Sequence, residues 1–240
     1  MKVSAIVSTY NSQKYIAGCL EDLLSQSIAG EIEIIVVNSG SKQNESEIVR
    51  GYQRRFSNIL LIETKRETIY SSWNRGIKVA SGEYVSNANT DDRHDSKFFE
   101  LLTQELDKDR TKILCYADFE TLIEQEGKRA VKEAGRSRGE YSRSRLLKTC
   151  FIGPQPVWRK AVHDEFGYFN EKFVVAGDYE FWLRISQKYD FCYLKEVLGQ
   201  YLFRKDSLER KDGRKLCIKE TEVIQNKYRQ VMGRYANSCR

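Results

Sequence analysis

The feature that most constrains this chain is the run Ile32-Glu33-Ile34-Ile35-Val36-Val37, nearly unbroken in apolar, β-branched residues. Such a run suits a strand covered on both faces, as in parallel sheets flanked by helices. The flanking pattern agrees. Val3 to Ser8 reads as an earlier strand, and Tyr15, Ile16, Cys19, Leu20, Leu23 and Leu24 recur at the spacing of one helix face. A helix at Glu45 to Phe56, a strand at Ile59 to Ile62, a helix through Ile69, Trp73 and Ile77, and a strand at Glu83 to Ser86 continue the alternation, followed by a helix over 96–107 and a strand at Lys112 to Tyr116. This order predicts an α/β fold: a doubly wound, mostly parallel, Rossmann-like sheet flanked by helices.

At 240 residues, with 40% hydrophobic and 31% charged, the chain can bury a full globular core. No apolar run reaches the ~18 residues of a membrane span, and the first residues enter a strand without a signal-peptide layout, so a cytoplasmic location is expected. The six cysteines (Cys19, Cys115, Cys150, Cys192, Cys217, Cys239) form no Cys-x-x-Cys pair, and only His94 and His163 could join them in a zinc site. Cys19, Cys115 and Cys192 fall in apolar patterns and are expected as buried, reduced thiols.

The net charge of +6 resides entirely in residues 204–240, which hold 11 Lys and Arg against 5 Asp and Glu. A local concentration of this kind argues against a duplex-binding face, and no nucleic-acid partner is expected. Leu216, Val223, Ile224, Tyr228, Val231, Met232 and Tyr235 predict a helix in this tail with one apolar stripe. Packing on the protein itself is the first reading; contact with an anionic membrane at its inner face is the runner-up. A second basic run, Lys128 to Lys148, reads as a mobile loop leading into a short helix.

Open α/β sheets bind ligands at the carboxyl ends of their strands. Three such ends here are polar: Ser8-Thr9-Tyr10-Asn11-Ser12, Asn38-Ser39-Gly40-Ser41, and the stretch from Gly82 that ends in Asn89-Thr90-Asp91-Asp92. None is a Gly-x-Gly-x-x-Gly or Walker loop, which argues against a nicotinamide site or a P-loop ATPase. Asn89, Asp91 and Asp92 offer only oxygen ligands, suited to a hard divalent cation, Mg or Mn, whose shell substrate phosphates complete. The same residues also suit a turn and helix cap, and from composition alone both readings stand. Pro154 and Pro156, the only prolines, bracket Gln155 and would present it from a rigid backbone. Phe181, Trp182 and Ile185 have helical, core-facing spacing, although Trp158 and Trp182 could instead offer a stacking face to a ligand.

An ordered series of segments carries a family resemblance. Thr9-Tyr10-Asn11, Asn38-Ser39-Gly40-Ser41, Ser72 to Ile77, Ala80 to Tyr84, Gly153-Pro154-Gln155-Pro156, Gly167 to Glu171 and Gly177 to Arg184 together resemble the inverting family 2 glycosyltransferases. The resemblance covers roughly residues 3–207 and implies a GT-A fold. Residues 1–203 would form the transferase domain, with 1–115 as its nucleotide-sugar half and 116–203 as its acceptor side, followed by the basic helical tail over 204–240. It further implies that Thr9, Tyr10, Asn11, Asn38, Ser39, Asn74, Asn89 and Thr90 contact the donor nucleotide. Asn89-Thr90-Asp91 stands at the Asp-x-Asp position that binds the cation, with Asp92 beside it, and Asp178 matches the catalytic base. Arg204, Gln155 and Trp182 fall to the diphosphate or the acceptor. The donor would be a nucleoside-diphosphate sugar of UDP or dTDP type, and the acceptor a glycan or a lipid-linked or protein-linked hydroxyl.

The departures are specific. Asn38 and Asn89 stand where the family usually has Asp, and Trp73 replaces a common Arg. An amide donates as well as accepts, and it carries no charge. A binding-only relative that holds a nucleotide sugar without efficient transfer is therefore the alternative function. His94 and His163 are rival bases by residue type. A nucleotidyltransferase would want a Gly-rich basic loop after the first strand, and a haloacid-dehalogenase-type phosphatase would want aspartates there; neither is present. No Gln-x-x-Arg-Trp segment follows Asp178, which disfavours a processive synthase.

Overall fold

The computed structural model describes residues 1–125, 128–136 and 138–238, with the side chains of all but 125, 128, 131–136 and 231–238. In chain order the elements are β1 (Val3–Thr9), α1 (Gln13–Leu24), β2 (Ile32–Ser39), α2 (Glu45–Gln53), β3 (Ile59–Thr64), α3 (Ile69–Val79), β4 (Tyr84–Asn87), β5 (Arg93–His94) and α4 (Phe98–Lys108). There follow β6 (Lys112–Gln125), β7 (Lys128–Arg136), α5 (Arg143–Leu146), β8 (Val157–Arg159), α6 (Val162–Phe166), α7 (Gly177–Ile185), β9 (Asp190–Phe203) and α8 (Lys215–Ser238).

One sheet runs in the order β3-β2-β1-β4-β8-β6-β9-β5, with β7 paired to β6. The four strands from β3 to β4 are mutually parallel, as expected. β8 is antiparallel to both β4 and β6, while β9 runs parallel to β6 and receives β5 antiparallel at the edge. The apolar run behaves as its composition requires. Ile35 and Val37 of β2 join a core with Tyr70, Trp73, Ile77, Phe181 and Tyr228 on one face of the sheet. Ile32, Ile34 and Val36 join the opposite core with Leu20, Phe99 and Leu102. Because neighbouring side chains of a strand point to opposite faces, only a layer on each side can bury them all.

Helix α3 sits close on β1: a Cβ at Gly76 would lie 2.6 Å from Ile6 Cγ2, so the helix approaches to a distance only glycine allows. Thr68 caps this helix by accepting from the Ser71 amide at 3.1 Å. These contacts fix the face that carries Tyr70 and Trp73, one turn apart, beneath the strand ends.

Two expectations are corrected. The basic run from Lys128 begins not as a loop but as β7, antiparallel to the second half of β6 through pairs such as Leu122 with Val131 and Glu124 with Arg129. Backbone pairing on a long neighbour is enough to hold an edge strand without an apolar alternation of its own. In α8, Ile224 and Tyr228 are buried, but Val223 is exposed, so the stripe is narrower than its sequence suggested. Val231, Met232 and Tyr235 lie outside the described side chains. Among the described residues no helix is long and apolar enough to cross a membrane. Cys19 and Cys115 are buried and unpaired.

Candidate active site

The carboxyl ends of β1, β2 and β4 and the start of α7 enclose two adjoining chambers of about 560 and 600 Å³. They share Trp73, Asn89, Val175, Asp178, Tyr201 and Glu209 as a common wall. The first chamber is floored by Thr9, Tyr10, Asn11 and Ser39 and bounded by Asp91, Asp92 and Arg204. The second opens between Phe119, Thr149, Gly153, Pro154, Phe203 and α8 residues Cys217 and Thr221.

Several polar groups on the floor of the first chamber are positioned by contacts between strand ends. Asn11 adopts φ 52°, a left-handed conformation that Asn tolerates better than most residues. Its Oδ1 accepts from the Lys42 amide at 3.0 Å, locking the two loops together. Thr9 Oγ1 is buried without a partner, as is Trp73 Nε1 on the shared wall. Buried polar atoms are normally satisfied, so these two fit a ligand that supplies what the protein does not. Arg66 lies 3.8 Å from the ring centroid of Tyr10 and donates to Ser39 Oγ at 3.1 Å.

The two adjacent carboxylates are not equivalent. Asp92 is buried, with Oδ1 accepting from the Leu202 amide at 3.1 Å and Oδ2 from Asn89 Nδ2 at 3.0 Å. Burial, and then the charge of Asp91, push its pKa up to about 8. Asp91 is half-buried on the chamber wall, and its Oδ2 accepts from Arg204 Nη1 at 3.1 Å. Burial raises its pKa while the guanidinium opposes the rise. Asp91 is thus the carboxylate offered to the cleft, and the structure already stations a positive group on it. Among the described residues no cluster of three His, Cys, Asp or Glu forms a cage for a metal. A cation here would take one protein carboxylate and draw its remaining ligands from phosphate and water, a mode suited to Mg.

Asp178 sits on the wall common to both chambers, in the first turn of α7, and accepts from Tyr70 Oη at 3.1 Å. Burial raises its pKa, against the opposing pull of the Tyr179 amide and the Tyr70 hydroxyl. The helix is not capped by this residue: Ala176 is its N-cap and supplies no side-chain bond. A Cβ at Gly177 would fall 2.7 Å from the Tyr70 ring, so the start of α7 and α3 meet at that glycine.

Four expected site residues lie elsewhere. Asn74 is 2% exposed and bonds Phe169 through both ends of its amide, at 2.9 and 3.0 Å, bracing α3 against the loop before α7. Asn38 turns its oxygen to the Ser41 amide and its nitrogen to Ser46, which shapes the β2 turn instead of facing a base. Gln155 is buried and donates to the Arg93 carbonyl at 3.0 Å, so Gly153 and Pro154 line the second chamber in its place. Trp182 is 1% exposed and packs edge-on to Trp158 at 5.2 Å, a core residue with no face for a sugar.

The rival bases are removed too. His163 is buried and accepts from Trp158 Nε1 at 2.9 Å. His94 stacks on Phe99 beside a separate cavity of about 720 Å³ lined by Asp22, Glu120 and Gln200, and burial lowers its pKa to about 4. Sequence reasoning missed Arg66, Tyr70 and Tyr201 on the chamber walls. Tyr70 and Trp73 share the spacing of the buried face of α3, so periodicity could not separate the wall from the core.

Solved structures identify the architecture. S. aureus TarS 1–349 in complex with UDP-GlcNAc superposes with a TM-score of 0.71 at 23% identity, covering 85% of this chain and 59% of that one. The mannosyltransferase PcManGT from Pyrobaculum calidifontis, in complex with GDP-Man and Mn2+, gives 0.63 at 17% identity over 89% of this chain and 58% of its own. The fold is the GT-A fold of glycosyltransferases.

The sequence pattern of glycosyl transferase family 2 matches residues 4–167. The chain belongs to that family. It is 36% identical over 112 residues to the uncharacterized glycosyltransferase EpsJ of Bacillus subtilis, 47% of this chain and 32% of that protein. It is 25% identical over 195 residues to a chondroitin synthase of Escherichia coli, 81% of this chain and 28% of that protein. The chain therefore spans about a third of the length of these relatives.

Proposed function

We propose that this protein transfers a sugar, with inversion, from a nucleoside-diphosphate donor to an acceptor hydroxyl, and that the two chambers hold donor and acceptor. The carrying observation is that Asp178 is common to both chambers, half-buried with a raised pKa, while Asp91 borders only the first. In this reading the nucleoside rests on Thr9, Tyr10, Asn11 and Ser39, with Arg66 and Trp73 as further contacts. Asn89 and Thr90 shape the same wall. A divalent cation, Mg or Mn, held at Asp91 would neutralise the charge of the leaving diphosphate. Arg204, already paired with Asp91, supplies a second positive group for those oxygens. Asp92 supports Asp91 from behind and is not a ligand.

The acceptor hydroxyl approaches from the second chamber and gives its proton to Asp178 as its oxygen bonds to the anomeric carbon. The bond to the diphosphate oxygen breaks on the opposite face, and the electron pair leaves with the nucleoside diphosphate. The Tyr70 hydroxyl orients the carboxylate and leaves its other oxygen for the acceptor. The bound UDP-GlcNAc of TarS supports a UDP-type donor, and the GDP-Man and Mn2+ of PcManGT support a nucleotide sugar with a cation. The acceptor remains a glycan or a lipid- or protein-linked hydroxyl.

The test is a thermal-shift panel of UDP, dTDP and GDP sugars with and without Mn, followed by release of nucleoside diphosphate. A ligand at a hundred times its Kd stabilises by about 2.7 kcal/mol, or about 5–10 °C for a chain of this size. A Mn-dependent shift with turnover is expected. A shift without turnover on any acceptor or on water identifies a binding-only relative, and the absence of any shift overturns the reading.

A further inference from the structure

The backbone immediately before Asp178 is held from the far end of the chain. Glu220, in α8, accepts from the amides of Val174 at 2.8 Å, Val175 at 2.9 Å and Ala176 at 2.9 Å. Glu220 is 8% exposed, so these are charge-assisted bonds in a site with little competing water. Three successive amides turned onto one carboxylate form a concave nest, here closed around a protein anion. The N-cap of α7 has no side-chain bond of its own, so the entry to the helix is fixed by a residue 44 positions later.

The same segment belongs to the site. Val174 and Val175 line the first chamber, and Val175 and Ala176 line the second. Asp178 follows two residues after the last clamped amide and is fixed on its other side by Tyr70. A second attachment joins the two helices further along, where Tyr228 Oη donates to Glu180 Oε1 at 2.6 Å and Lys227 approaches the same oxygen at 3.1 Å. The Glu220 clamp and the Glu180 attachment are separate, so α8 stays docked on α7 when the clamp alone is altered.

We infer that Glu220 is a positioning residue for Asp178: by gathering the 174–176 amides it sets where the α7 entry places the carboxylate between the two chambers. This rests on the reading of Asp178 as the base. It makes α8 part of the catalytic unit, not a tail appended to it. A displacement of about 1 Å in a reacting group can cost about a hundredfold in rate, so loss of the clamp should act on turnover more than on donor binding.

The experiment compares Glu220→Gln and Glu220→Ala with wild type and with Asp178→Asn in the full chain, using UDP-GlcNAc as donor and UDP as the binding probe. Glu220→Gln keeps the shape and one good acceptor, so it folds even where the alanine variant does not. The expected result is a UDP affinity within about threefold of wild type, and a kcat lower by roughly 10- to 100-fold in the alanine variant. The glutamine variant should fall between, with faster hydrogen exchange at the 174–176 amides. Turnover within twofold of wild type in both variants overturns the inference. So does a kcat that falls only in step with UDP affinity and folded fraction, which would make Glu220 a stability residue. If Asp178→Asn is inactive while both Glu220 variants are normal, the clamp alone is refuted. Near-native turnover by Asp178→Asn removes the base itself, and the clamp with it.

Discussion

Replacing Asp178 by Asn separates chemistry from architecture more cleanly than any other change. The amide retains an oxygen for the Tyr70 hydroxyl, now 3.1 Å from Asp178 Oδ1, and Ala176 still begins the helix. The structural loss is confined to one negative charge in the first turn of α7, worth about 0.3–1 kcal/mol against the helix dipole. Burial works the other way. Because it raises the folded-state pKa of Asp178, the native protein holds that proton more tightly than the unfolded chain does. Ionising the group therefore lowers stability as pH rises from the unfolded to the folded pKa, and Asn is spared that loss. The variant should melt within about 4 °C of wild type at neutral pH, and its stability relative to wild type should improve from acid to neutral pH.

The rate should respond quite differently. An amide cannot take the acceptor proton, and loss of a general base costs about 100- to 10,000-fold, equivalent to about 2.7–5.4 kcal/mol of barrier. UDP affinity should stay within a few-fold. In the wild type, the acid limb of kcat should lie above the ordinary carboxylate range, since a general base at Asp178 must be ionised to act. Calorimetry, UDP titration and a pH profile of nucleoside diphosphate release check the three parts. Transfer within tenfold of wild type by a folded variant would refute the reasoning.

The remaining expectations are narrower. Asp91→Ala should abolish Mn-dependent UDP binding by calorimetry, whereas Asp92→Asn should weaken it less, because both Asp92 oxygens face protein donors; full activity in excess chelator would contradict this. Gly177→Ala should displace Tyr70, which its methyl would meet at 2.7 Å, costing about 1–3 kcal/mol of stability and most of the turnover; wild-type kinetics would show that the helix entry tolerates a shift. Deletion after Gly213 should expose the core under Ile224 and Tyr228 and cost about 3–6 kcal/mol by loss of those two side chains alone. No binding of anionic vesicles is expected from the full chain, and vesicle binding that Val223→Asp abolishes would support the membrane reading of the tail.

The sheet was legible because its signal is local. β1 to β4 and the helices between them follow apolar periodicities that each segment carries alone, and the ranges agree closely. β7 was not legible, because an edge strand can be charged and lean on the backbone of β6. At the site, the pair Asp91 and Asp92 is legible as carboxylates after a strand end, whereas Asp178 enters only through the family resemblance. The resemblance points Asn74 and Asn38 to the donor, and the flanking prolines point Gln155 to a ligand, but an amide that grips a substrate and one that grips a turn have the same letter. Burial distinguishes them, and burial is a property of the assembled layers. The clamp on α7 had no signal at all: a cap residue is sought within a few positions, and Glu220 arrives 44 residues after Ala176.

The hydrogen bond from the Leu202 amide to Asp92, spanning 110 residues, also sets an order of events during synthesis. β1, β2, β3 and β4 find their partners among strands made close together, so this half can assemble while the rest of the chain is still leaving the ribosome. The loop bearing Asp91 and Asp92 cannot be closed until β9 has emerged and paired with β5 and β6. A nascent chain stalled before β9 would lack the Leu202 amide, leaving Asp92 Oδ1 without its backbone donor.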